Sequence, residues 1–121
     1  LTGVLVVDDE TDIRVLIEAV IEQANEGLRV VGNATNGAEA IARWRETEPD
    51  VILLDQQMPE MTGLEAAEAI LAEQPDQRII LYSAYLDPET HRKASELGIR
   101  ACVPKGDLTR IPDALWRFGT G

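Results

Sequence analysis

Apolar residues in this chain fall into two kinds of segment. Five short runs, Val4 to Val7, Leu28 to Val31, Val51 to Leu54, Arg78 to Tyr82 and Ala101 to Val103, are dense in β-branched and aliphatic side chains. Runs of this length without strict alternation suit strands buried on both faces of a parallel sheet, whereas a half-exposed antiparallel strand alternates apolar and polar residues. Between the runs the spacing is helical. Ile13, Leu16, Ile17, Val20 and Ala24 form one stripe, and Ala38, Ile41, Ala42 and Arg45 form a weaker one. Asn36 with Glu39, and Thr62 with Glu65, each set a capping oxygen three residues before a glutamate. Asp87 followed by Pro88 reads as a cap and first helical position, and Gly98 as a stop.

The last two helical segments are weaker. Pro88 to Leu97 offers a core little beyond Ala94 and Leu97, so its helix should open more readily than the others. Leu108, Ile111, Leu115 and Phe118 repeat at helical spacing, but Pro112 interrupts an early hydrogen bond and predicts a short or late-starting helix. Trp116 falls off that stripe, and Trp44 reads equally well as buried or exposed. Strand and helix thus alternate five times. The expected fold is α/β, a doubly wound, five-stranded parallel sheet with helices on both faces, forming a single domain over residues 1–121.

Charge narrows the functional classes. With 22 acidic and 11 basic side chains the chain carries a net charge of −11, which repels phosphate backbones and argues against nucleic-acid binding by these residues. Cations are the better match. A 45% apolar composition excludes a disordered acidic tail. The lone Cys102 forms no internal disulfide, and no signal peptide or membrane span is visible, so a cytoplasmic location is expected.

Ligands of an open parallel sheet bind at the carboxyl edge of its strands. The first run leads into Asp8, Asp9 and Glu10, and the third ends in Asp55, so four acids are expected to converge there. Any one of them alone is an ordinary capping or turn residue. Together they are costly, since two like charges 4 Å apart repel by roughly 4 kcal/mol at an effective dielectric near 20. A divalent cation offsets that repulsion, and hard oxygen donors favour Mg²⁺, with Mn²⁺ as the alternative. Ser83 ends the fourth run and Lys105 follows the fifth, bringing a hydroxyl and a cation to the same edge. A metal, a lysine and a hydroxyl can neutralise the oxygens of a transferring phosphoryl group while a carboxylate, here Asp55, attacks in line.

Four motifs carry a family resemblance across the whole chain: the acidic pair in VLVVDDE, the strand and turn VILLDQQMPEMTG, the hydroxyl in LYSA and the lysine in VPKG. In order and approximate spacing they resemble the receiver domains of two-component response regulators, which have the flavodoxin-like (βα)₅ fold. The resemblance implies that Asp55 accepts a phosphoryl group from a sensor histidine kinase, a phosphotransfer protein or a small phosphodonor, with Mg²⁺ required. It further implies Asp9, Asp55 and the main-chain carbonyl of Gln57 as metal ligands, with Asp8 acting through water, and Ser83 and Lys105 holding phosphoryl oxygens. A homodimer or a C-terminal output domain would receive the signal.

Two positions depart from the family pattern. Cys102 stands where relatives usually carry an aromatic switch residue, and Gly106 where they usually carry a proline. Cys102 reads as a small buried side chain of the fifth strand. Gln57 and Tyr85, two residues beyond Asp55 and Ser83, flank the expected path of attacking water, and His91 reads as an exposed polar residue. Two competing readings follow. One is a scaffold that keeps the fold without being phosphorylated, against which the intact set Asp8, Asp9, Asp55, Ser83 and Lys105 argues. The other is a Mg²⁺-dependent phosphohydrolase with an aspartyl nucleophile, whose usual second Asp is replaced here by Gln57 and for whose substrate cap the 121 residues leave no room. No G-x-G-x-x-G follows the first strand, which excludes a dinucleotide-binding domain.

Overall fold

A computed structural model describes residues 1–24 and 27–120. Its strands are β1 (Thr2–Val7), β2 (Leu28–Ala34), β3 (Val51–Asp55), β4 (Arg78–Ser83) and β5 (Ala101–Pro104). They alternate with α1 (Thr11–Ala24), α2 (Gly37–Thr47), α3 (Gly63–Glu73), α4 (Pro88–Leu97) and α5 (Ile111–Gly119), the last preceded by a 3₁₀ turn over Leu108–Arg110. All strand pairs are parallel, in the order β2-β1-β3-β4-β5. The expected five-stranded parallel α/β sheet is therefore the observed one. No helix among the described residues is long and apolar enough to cross a membrane.

Strand order reverses between β1 and β3, which makes their carboxyl ends the topological switch point. Register does the rest. Val7 pairs with Leu54, so the next residues, Asp8 and Asp55, lie side by side. Asp55 in turn pairs with Tyr82, and Ser83 with Pro104, which delivers Lys105 to the same edge. At the opposite side of β1 the register slips between Val4 and Leu5, where one extra β2 residue is accommodated.

Side chains alternate across the sheet, producing two cores. Leu5, Val7, Ile52, Leu54, Ile79 and Leu81 pack under α2, α3 and α4. Val4, Val6, Leu53, Ile80, Tyr82 and Val103 pack under α1 and α5. The two-sided burial of β1, β3 and β4 explains why their sequences run apolar without alternation.

The helix starts match the sequence signals. Asn36 accepts from the Glu39 N–H at 2.8 Å, Thr62 and Glu65 form a complete capping box, and Asp87 accepts from the Thr90 N–H at 2.7 Å. Gly98, at φ 94°, ends α4, and Pro112 sits in the first turn of α5. The apolar stripes differ in detail. On α1 the buried pair is Ile17 and Ile21, while Leu16 is half exposed, because the axis of the buried face passes through the i, i+4 pair and leaves Leu16 one step around the helix. On α2 the buried residues are Gly37, Ala40 and Trp44, displaced from the expected stripe of Ala38, Ile41, Ala42 and Arg45, of which Ile41 alone packs partly buried against the core. Trp44 decides that rotation: its ring is buried and its indole N–H donates to Gln77 Oε1 at 3.1 Å. Phe118, expected on the α5 stripe, is also half exposed, as is Trp116.

One glycine is required by close approach. A Cβ on Gly63 would lie 2.4 Å from the Asp55 carbonyl oxygen and 2.9 Å from Gln56 Cα, so only glycine lets α3 begin against the end of β3. Gly106, by contrast, faces open space. Gly63→Ala is expected to destabilise the fold by about 1–3 kcal/mol through forced backbone movement, with Gly106→Ala close to neutral. Urea unfolding of both variants checks this, and equal effects would refute it.

Candidate functional site

At the carboxyl edge of β1, β3, β4 and β5 the chain buries charge. Asp8, Asp55 and Ser83 have no solvent exposure, although they lie at strand ends. Lys105 Nζ sits between the two acids, 3.0 Å from Asp8 Oδ2 and 3.0 Å from Asp55 Oδ1. The ammonium offsets the repulsion that two adjacent buried carboxylates would otherwise feel.

Asp8 is held on every side. Its Oδ1 accepts from the Glu10 N–H at 2.8 Å, and its Oδ2 accepts from the Tyr82 hydroxyl at 2.6 Å as well as from Lys105. Its main-chain carbonyl accepts from Arg14 at 2.6 Å, which ties the start of α1 to the loop. The carboxylates of Asp8, Asp9 and Glu10 have oxygens within 4.8 Å of one another, and Asp9 and Glu10 are exposed. The four expected acids thus come together in two steps: three cluster directly, and Asp55 joins Asp8 through Lys105.

Asp55 is held differently. Its Oδ1 accepts from the Gln57 N–H at 3.1 Å and from Lys105. Its Oδ2 is buried without a hydrogen-bond partner. A buried, unpaired carboxylate oxygen carries a large desolvation cost, and it is what a cation or an incoming electrophile would satisfy. Burial pushes the Asp55 carboxyl up to about 6, with Asp8 adding to the rise and Lys105 and the Gln57 N–H opposing it. For Lys105, burial works against the charge, but its bonds to Asp55 and Asp8 outweigh burial and raise its affinity for the proton.

Ser83 reaches the expected edge with its hydroxyl turned into its own loop. It donates to the Tyr85 carbonyl at 3.0 Å and accepts from the Tyr85 N–H at 3.2 Å. The expected role of holding a phosphoryl oxygen requires that pairing to open. Gln57 and Tyr85 are exposed at the rim of the site. Cys102 is partly buried against the α2–α4 core, and burial raises its thiol, so it behaves as a packing residue. Tyr82 and Arg14 are the site residues that sequence reasoning missed. Tyr82 did carry a signal: a tyrosine inside an aliphatic strand run must find a partner for its hydroxyl.

Two buried acids at the switch point of an open parallel sheet, bridged by the lysine that follows β5, place the charged groups where α/β domains of this class bind their ligands. The family model for the response regulator receiver domain matches residues 4–115, and the chain belongs to that family of two-component signalling domains. It is 41% identical over 113 residues to the chemotaxis protein CheY of Thermotoga maritima, covering 93% of this chain and 92% of that one. It is also 38% identical over 112 residues to protein-glutamate methylesterase/protein-glutamine glutaminase 3 of Hahella chejuensis, covering 91% of this chain but only 32% of that protein. Among solved structures, the signal receiver domain of NarL from Mycobacterium tuberculosis superposes with a TM-score of 0.89 at 29% identity, covering 99% of this chain and 97% of that one.

Because Asp55 binds its proton more tightly in the folded than in the unfolded chain, ionising it costs stability as pH rises from about 4 through 6. Asp55→Asn removes that cost. In the presence of a chelator the variant is expected to exceed the parent in stability at pH 7, by on the order of 2–3 kcal/mol, with the difference closing below pH 4. Urea unfolding at both pH values measures it, and a difference independent of pH would refute the assignment.

Proposed function

We propose that this receiver domain is a phosphorylation-controlled switch whose acceptor is Asp55. The observation that carries the reading is the state of that carboxylate: fully buried, Oδ1 fixed by Lys105 and the Gln57 N–H, and Oδ2 free of partners. A nucleophile whose second oxygen is already held has little orientational freedom left to lose on attack. Oδ2 would form the new P–O bond while the bond to the donor breaks in line, its electron pair leaving on the imidazole nitrogen of a phosphohistidine or on acetate. The donor would be a sensor histidine kinase, a phosphotransfer protein or a small acyl phosphate.

The donor set fits a hard divalent cation. Asp9 and Asp55 Oδ1, the oxygen not used for attack, would be direct ligands together with the Gln57 carbonyl, and Asp8, already committed to three donors, would act through water. When bound, Mg²⁺ would neutralise charge on the phosphoryl oxygens. Lys105 would exchange its contact with Asp55 Oδ1 for a phosphoryl oxygen, and Ser83 would leave the Tyr85 main chain to donate to another. An aspartyl phosphate adds up to about one further negative charge, which favours both movements. Because Ser83 and Tyr85 share a loop with the start of α4, the change is passed to a helix that buries only Ala94. An output domain, a second copy or another partner would read that surface; Val15, Leu16, Trp116 and Phe118, open on α1 and α5, offer it further apolar area.

Intact mass after incubation with acetyl phosphate is expected to rise by one phosphoryl group in the parent, only with Mg²⁺, and not in Asp55→Asn. No gain with either acetyl phosphate or a kinase donor would favour a scaffold that keeps the fold without the chemistry. The exposed side chains of Gln57 and Tyr85 are expected to govern water access. A Gln57→Ala, Tyr85→Ala double variant should therefore change the dephosphorylation rate about tenfold, roughly 1.4 kcal/mol in barrier; unchanged decay of the phosphorylated mass would refute that role.

A further inference from the structure

Tyr82 is the largest fully buried side chain in the domain, and its hydroxyl lies inside the acidic site. Strand alternation aims it, with Ile80, toward the layer of α1 and α5, where its ring packs among Val6, Leu53 and Val103. Parallel pairing sets it beside Asp55 on β3, and its hydroxyl reaches past β3 to meet the end of β1. Two acceptors are within reach there, the Val7 carbonyl at 3.3 Å and Asp8 Oδ2 at 2.6 Å. A phenol has one proton to give, and the shorter, charge-assisted bond to the carboxylate takes it.

The same ring also faces the lysine. Lys105 Nζ lies 4.9 Å from the Tyr82 ring centroid while it pairs with Asp8 and Asp55. One side chain therefore contacts both members of the central charge pair. We infer that Tyr82 is a positioning residue for divalent-cation binding: its hydroxyl locks the Asp8 carboxylate in the orientation that sets it beside Asp9 and Glu10. The inference rests on the metal reading of the site given above. Without the hydroxyl, Asp8 Oδ2 keeps only Lys105, a contact that phosphoryl binding would compete for, and a buried carboxylate freed on one side reorients. Groups that orient the residues around a metal in this way typically contribute 10–100-fold in affinity.

Mn²⁺ binding to the full chain, measured by calorimetry, tests the inference on the parent, Tyr82→Phe, Asp8→Asn and the double variant. Tyr82→Phe keeps the ring and its packing, and it is expected to weaken Mn²⁺ binding about tenfold. The double variant is expected to bind no more than twofold worse than Asp8→Asn, because Tyr82 acts through Asp8. Equal or tighter binding by Tyr82→Phe, or losses that simply add, would overturn the inference. A parent that fails to bind Mn²⁺ would overturn the metal reading as well, which separates the two failures. The parent also allows a check that needs no Tyr82 variant: its buried hydroxyl proton should give a slowly exchanging NMR resonance that shifts on Mg²⁺ saturation. A resonance unmoved by Mg²⁺ would count against the inference.

Discussion

The arrangement of the site depends on burying two carboxylates, Asp8 and Asp55, against a single ammonium. In water such a pair would cost little; with neither acid exposed, each loses its hydration and repels the other through a medium of low polarity. Lys105 at 3.0 Å from both is what makes the burial tolerable, and it couples the two acids so that a change at one is felt at the other. The balance is uneven. Asp8 has three donors around its carboxylate, whereas Asp55 keeps one oxygen without a partner and binds its proton near pH 6. The acid held on both oxygens and the acid with one oxygen unpaired are thus distinguished by their hydrogen bonds.

The sheet supplies this geometry through register. Pairing of Val7 with Leu54, Asp55 with Tyr82 and Ser83 with Pro104 brings four strand ends into line, so no long-range loop has to be ordered to assemble the charged groups. Strands carry the acids and Tyr82, and the short loop after β4 carries the Tyr85 main chain to which Ser83 is bonded. Ser83 lies on the boundary, its position set by β4 and its hydroxyl bonded to its own loop. α4 follows that loop and buries only one side chain, which leaves it the least anchored helix and the natural place for a local change to be expressed.

The chain belongs to the receiver family over residues 4–115, and its own side chains fill out the site. Cys102 packs partly buried in β5, and Tyr82 in β4 carries its ring beneath the charge pair. That ring stays fully buried and hydrogen-bonded to Asp8, so it stabilises the site from below. The chain spans only 32% of the methylesterase relative but 92% of the CheY relative, so the shared unit occurs in proteins of different reach.

Local chemistry was enough to read much of this from the residues. Apolar runs without alternation identified strands buried on both faces, since the sheet is covered on both sides, and the caps at Asn36, Thr62 and Asp87 marked helix starts because they satisfy backbone N–H groups within three residues. That Asp8, Asp9, Asp55, Ser83 and Lys105 reach one edge was readable because strand ends of a parallel sheet lie side by side. Rotation of the helices was not legible: Trp44 turned α2 toward Gln77, a residue 33 positions away, and Leu16 and Phe118 were left open because apolar spacing alone does not say which neighbour covers a stripe. Nor could the sequence say which oxygens would be paired. The unpartnered Oδ2 of Asp55, the inward turn of the Ser83 hydroxyl and the bond from Tyr82 to Asp8, 74 positions apart, exist only once register and packing fix side chains from separate strands within hydrogen-bond distance. Pattern determines which groups reach an edge; only tertiary contact decides which of them satisfy one another and which are left without a partner.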